Sequence, residues 1–77
     1  MSERLQKIVN DALIKKGAKA LSDKSGLAEG SIRLIASGDR APRRRNAYKL
    51  ALACGCTEDD ALALARECIP ERAMASA

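Results

Sequence analysis

The chain has 77 residues, a net charge of +4, no histidine, phenylalanine or tryptophan, and one tyrosine. That length holds one small domain. The absence of histidine, of paired carboxylates and of an activated nucleophile argues against an enzyme, and nothing approaches the roughly 18 uninterrupted apolar residues of a membrane span. With Tyr48 the only aromatic, the core must come from Leu, Ile, Val and Ala, and the abundance of Ala predicts an all-α fold.

Ser2 and Glu3 suit the start of a first helix, as cap and dipole partner. Leu5, Ile8, Val9, Ala12 and Leu13 share a stripe while Arg4, Lys7, Asp11 and Lys15 fall elsewhere, which predicts an amphipathic helix over 3–16 stopped by Gly17. A second helix is predicted over 18–25, anchored by Leu21, and Gly26 marks a sharp turn because glycine takes positive φ without steric cost. Leu27 packs back under that turn. In the third helix, over 29–37, Ile32 and Ile35 face inward while Glu29, Gly30, Arg33 and Ser37 face away. Two short helices around a tight turn, the second greasy behind and polar or small in front, form a helix-turn-helix pattern.

Gly38 stops the third helix and Pro42 bars its continuation. A fourth helix starts at Arg44 or Asn46 and runs to Cys54, with Ala47, Leu50, Ala51 and Cys54 inward. After Gly55, Thr57 with Asp60 three residues on reads as a variant capping box. The fifth helix then runs to Cys68, with Ala61, Leu62, Leu64, Ala65 and Cys68 apolar, and Pro70 ends it. The expected organisation is one domain over 1–69 and a flexible tail over 70–77.

Residues 28–49 carry Arg33, Arg40, Arg43, Arg44, Arg45 and Lys49 against Glu29 and Asp39. Residues 50–77 carry Arg66 and Arg72 against Glu58, Asp59, Asp60, Glu67 and Glu71. A basic middle beside an acidic end implies one face for an anion and another held away from it. Cys54, Cys56 and Cys68 are an odd set with no histidine beside them, which fits buried small hydrophobes in a reducing cytoplasm better than a disulfide framework or zinc. No cofactor or metal is expected.

The order Leu21, Gly26, Leu27, Ile32, Ile35 and Gly38, then Arg40 and Pro42, then the run Leu50 to Thr57, resembles the lambda-repressor-like helix-turn-helix family, which includes phage Cro and C-type repressors. The resemblance implies a bundle of five short helices that binds double-stranded DNA sequence-specifically. It implies a small phage-type transcriptional regulator acting as a homodimer on operator half-sites, in the bacterial cytoplasm. Within this pattern the chain has Ala18 where a phosphate-clamping Gln is common, Ser22 where a small Ala is usual and Ser25 where an apolar residue is usual. The base-reading positions are Glu29, Gly30 and Leu34.

On this reading Glu29 either accepts from cytosine N4 or serves as a dipole residue, and Gly30 lets the backbone approach the duplex closely. Ser31 donates to a phosphate or a base edge, and Arg33 reaches guanine O6 and N7 or a phosphate. Leu34 either touches a thymine methyl or edges the core. Phosphate contacts are expected from Lys19, Ser37, Arg40, Arg43, Arg44, Arg45 and Asn46, and a dimer surface from Leu62, Leu64, Ile69 and Met74. Two alternatives use other partners: an antitoxin-like protein-binding module acting through its tail, or a phage activator or excision factor. Excision factors usually add a β-wing after the motif, and the helical pattern of 48–54 speaks against one.

Overall fold

Gly17 bonds in two directions at once: its N–H donates to the Leu13 carbonyl at 3.0 Å, and its own carbonyl accepts from Leu21 N–H at 3.3 Å. It therefore closes α1 (Glu3–Lys16) and opens α2 (Ala18–Ser25), with φ 87 and ψ 157, a conformation in which a Cβ would be strained. Three more helices follow, α3 (Glu29–Ser37), α4 (Arg44–Ala53) and α5 (Glu58–Arg66). The computed structural model describes residues 3–68. The expected cap Ser2, the candidate dimer residues Ile69 and Met74, and the tail over 70–77 lie outside them. The fold is all-α, as predicted, and the first three helices end where the glycines placed their stops. The fourth takes the earlier of its two expected starts, and the fifth stops just short of Cys68.

Ser22 and Ser25 staple the turn between α2 and α3. Gly26, at φ 77, donates to the Ser22 carbonyl at 2.8 Å. Ser22 Oγ donates to the Leu27 carbonyl at 2.6 Å, and Ser25 Oγ accepts from Leu27 N–H at 3.1 Å. The buried Ser25 thus satisfies a backbone donor that an apolar residue would leave to other partners. At the far end of α3 the Leu34 carbonyl accepts from both Asp39 N–H and Arg40 N–H, and Asn10 Nδ2 of α1 donates to the Ala36 carbonyl at 2.8 Å. Helix α3 is therefore fixed at both ends.

The core is formed by Leu5 and Val9 of α1, Leu21 of α2, Ile32 of α3, Leu50 of α4 and Leu64 of α5, all fully buried. Ala47, Ala51 and Ala61 are also buried, and alanine at these positions lets α4 and α5 approach closely. Thr57 Oγ1 accepts from Asp60 N–H at 3.2 Å, giving the predicted cap on α5.

One assignment on α5 changes. Leu64, expected on a dimer surface, is 1% exposed because Ala61, Leu64, Ala65 and Cys68 form the stripe facing the core. Leu62, expected on the same surface, is 47% exposed.

Burial first, and the neighbouring Cys56 second, push the Cys54 thiol from its ordinary 9.0 up to about 11. Burial also raises Cys56 and Cys68. All three pack on or in the hydrophobic core, and no cluster of potential metal ligands is found among the described residues. Nor is any helix among those residues long and apolar enough to cross a membrane.

Candidate nucleic-acid interface

Ile32, Ile35 and Ala36 bury one side of α3, and this fixes what its other side presents. Glu29, Gly30, Arg33, Leu34 and Ser37 are all exposed, in two adjacent rows at helical spacing. Glu29 and Arg33, the residues on which a groove-reading helix would depend, both point outward. Their nearest charged atoms, Glu29 Oε1 and Arg33 Nη2, are 3.8 Å apart. That is a loose i,i+4 pair on the surface, worth a few tenths of a kcal/mol.

The remaining expected contacts divide by what already engages them. Arg40 Nη1 donates to Ser31 Oγ at 3.0 Å, which lays the arginine over the first turns of α3. Ser37 Oγ lies 3.0 Å from the Leu34 carbonyl and 2.9 Å from Asp39 Oδ2, so its one proton is shared between two internal acceptors. Leu34 is 38% exposed, which places it on the outer face rather than in the core. Lys19 is exposed on α2, and Gly30 has nothing within 4 Å of where a Cβ would stand.

An open cleft of about 250 Å³ lies between α3 and the start of α4, lined by Leu27, Ile35, Ala41 and Pro42 and by the polar Ser31, Arg40, Arg43 and Asn46. It borders α3 at Ser31 and Ile35 and reaches Arg43 of the basic run. The first turn of α4 carries no acidic residue and no side-chain cap, so its backbone N–H groups and the positive end of its dipole add to the arginine charges. Arg45 is exposed, while Arg43 and Asn46 are partly buried at the cleft.

Arg44 behaves differently from its neighbours. Its Nε donates to the Cys68 carbonyl and its Nη2 to the Arg66 carbonyl, each at 3.3 Å. The guanidinium expected on a phosphate is thus directed to the C-terminal end of α5, where a cation offsets the helix dipole. Arg4 reaches the same end through Glu67 Oε2 at 2.8 Å. Residue type does not reveal this: the backbone at the start of α4 sets the direction in which Arg44 points.

The structure brings together Glu29, Gly30, Ser31, Arg33, Leu34, Arg40, Arg43 and Asn46 on or beside α3, and separates Arg44 from them. No family model, curated protein or solved structure matches the chain.

Proposed function

We propose that this chain is a sequence-specific double-stranded DNA-binding transcriptional regulator of the small Cro-like repressor kind. The observation that carries the reading is the outward stripe of α3, braced at both ends, on a helix that also borders a basic cleft. A helix of this diameter fits the major groove, and its N-terminal residues meet base edges there. Arginines and a lysine beside it suit the flanking phosphates: Lys19 from α2, Arg40 from the loop, Arg43 and Arg45 at the start of α4. Asn46 and the N-terminal dipole of α4 suit an oxyanion in the same cleft. Acidic Glu58, Asp59 and Asp60 belong to α5, whose own N-terminal dipole they stabilise, and not to this face.

One such module grips few base pairs, so two copies on paired half-sites about one helical turn apart complete the reading. Leu62 is the described member of the expected dimer set that remains on the surface. Repression follows from occupancy of the operator.

Fluorescence-anisotropy titration of the full chain against labelled duplexes over a range of salt tests this. Affinity should fall steeply, with a log–log slope of about −3.6 for each protomer if Lys19, Arg40, Arg43 and Arg45 each neutralise one phosphate. Failure to bind any duplex in dilute buffer would overturn the proposal.

A further inference from the structure

The exposed face of α3 carries information about which bases it fits, given the DNA-binding reading above. One row holds Glu29, Arg33 and Ser37 at i, i+4 and i+8, and the next holds Gly30 and Leu34. The hydroxyl of Ser37 is engaged by Leu34 and Asp39. The polar row therefore offers an outside partner one charged acceptor, the Glu29 carboxylate, and one donor fork, the Arg33 guanidinium, with Oε1 and Nη2 3.8 Å apart. The neighbouring row offers no polar side-chain atom at all.

We infer that Glu29 and Arg33 act as one reading unit for the major-groove edge of a G·C pair, and that Leu34 covers the methyl group of a thymine in an adjacent pair. Guanine presents O6 and N7 side by side, matching two N–H groups of the guanidinium. Its cytosine presents the N4 amino group next to O6, where a carboxylate held beside the guanidinium accepts a hydrogen bond. An A·T pair gives the guanidinium N7 but places the N6 amino donor where the second acceptor should be, so one of the two bonds is lost. Glu29 would be repelled by the phosphates on either side of the groove were Arg33 not beside it. The two side chains therefore work as a unit. Leu34 gains from DNA only by covering apolar surface, and C5-methyl of thymine is the one such group on the major-groove edge of a base pair. Gly30, in the same row, has no Cβ to hold the helix away from the duplex.

The test is selection of bound half-sites from random duplex by the full chain, followed by anisotropy titration of the selected sequence and its variants. The selected half-site should contain a G·C pair beside a thymine. Changing that pair to A·T should weaken the unmodified protein by about tenfold or more. Arg33→Ala should lose this preference while still binding scrambled DNA, and Glu29→Gln should reduce it. Replacing the thymine by deoxyuridine removes only the methyl and leaves the protein untouched. It should weaken binding by about fourfold, and by nothing further in Leu34→Ala. Half-sites without G·C, equal loss for Arg33→Ala on selected and scrambled DNA, or indifference to deoxyuridine would overturn the inference and leave DNA binding standing. Failure to bind every duplex would overturn both.

Discussion

Arg44, the first residue of α4, donates its Nε to the carbonyl of Cys68, past the end of α5, at 3.3 Å. One side chain thereby ties the start of the helix nearest the basic cleft to the end of the acidic helix. Its second bond, to the Arg66 carbonyl, fixes the guanidinium in that place.

Arg44→Ala should therefore act on the fold and not on the DNA. A largely exposed cation at a helix C-terminus contributes about 0.5–1 kcal/mol, and urea unfolding should show a loss of that order. The slope of log affinity against log salt should stay unchanged. Arg45→Ala should lower the slope by about 0.9 in magnitude. A slope change in Arg44→Ala as large as in Arg45→Ala would return its guanidinium to the DNA backbone.

Ser25→Ala should cost more than its size suggests. Its hydroxyl accepts from Leu27 N–H, and the residue is 5% exposed, so the variant leaves a backbone donor without its partner in a tight turn. The expected loss is about 1–3 kcal/mol. Ser22→Ala removes a part-buried bond to the Leu27 carbonyl and should cost about 1 kcal/mol. Both serines grip the same residue, so the double variant should deviate from the sum of the single ones. Chemical denaturation of the three variants measures this, and strict additivity would show that the serines do not act together.

The Cys54 thiol gives the fold an alkaline limit. It titrates near 11 in the folded chain against an ordinary 9.0, so the folded state holds this proton more tightly than the unfolded state does. Its contribution is complete below about pH 9 and is lost as pH rises toward 11. The comparison is with Cys54→Ala, which isolates this one thiol. The stability of the original chain relative to that variant should decline across the window, measured by urea unfolding in reductant. A constant difference from pH 8 to 11 would count against a buried thiol.

The helix boundaries were legible because local chemistry set them. Gly17, Gly26 and Gly38 each take positive φ, and Thr57 caps its helix as its spacing with Asp60 predicted. The outer face of α3 was legible too, since Ile32 and Ile35 leave only one way for the helix to turn. The inward direction of Leu64 was not. A helix of mostly Ala and Leu offers two overlapping apolar stripes, and packing against α4 chose the one through Ala61, Leu64 and Ala65. Arg44 was hidden for the same reason, because three adjacent arginines differ only in the direction that the backbone gives each. Ser22 and Ser25 looked like departures from a pattern, and only the path of the Leu27 backbone shows them to be its fastening.

Gly30 separates stability from function most directly. It lies inside α3 at ordinary helical φ, and a Cβ there would meet nothing within 4 Å. Glycine is the least favourable non-proline residue in a helix, so Gly30→Ala should stabilise the chain by about 0.5–1 kcal/mol. Yet the space that receives the new methyl is the side of α3 turned to solvent, between Glu29 and Leu34 and their partner. If the backbone lies against the duplex at this point, the same substitution should weaken binding to the selected half-site by tenfold or more while raising the unfolding midpoint. Thermal unfolding and anisotropy titration on one preparation measure both effects. A variant that is more stable and binds as tightly as the original chain would show that Gly30 does not approach the DNA, and would move the contact surface toward the later turns of α3.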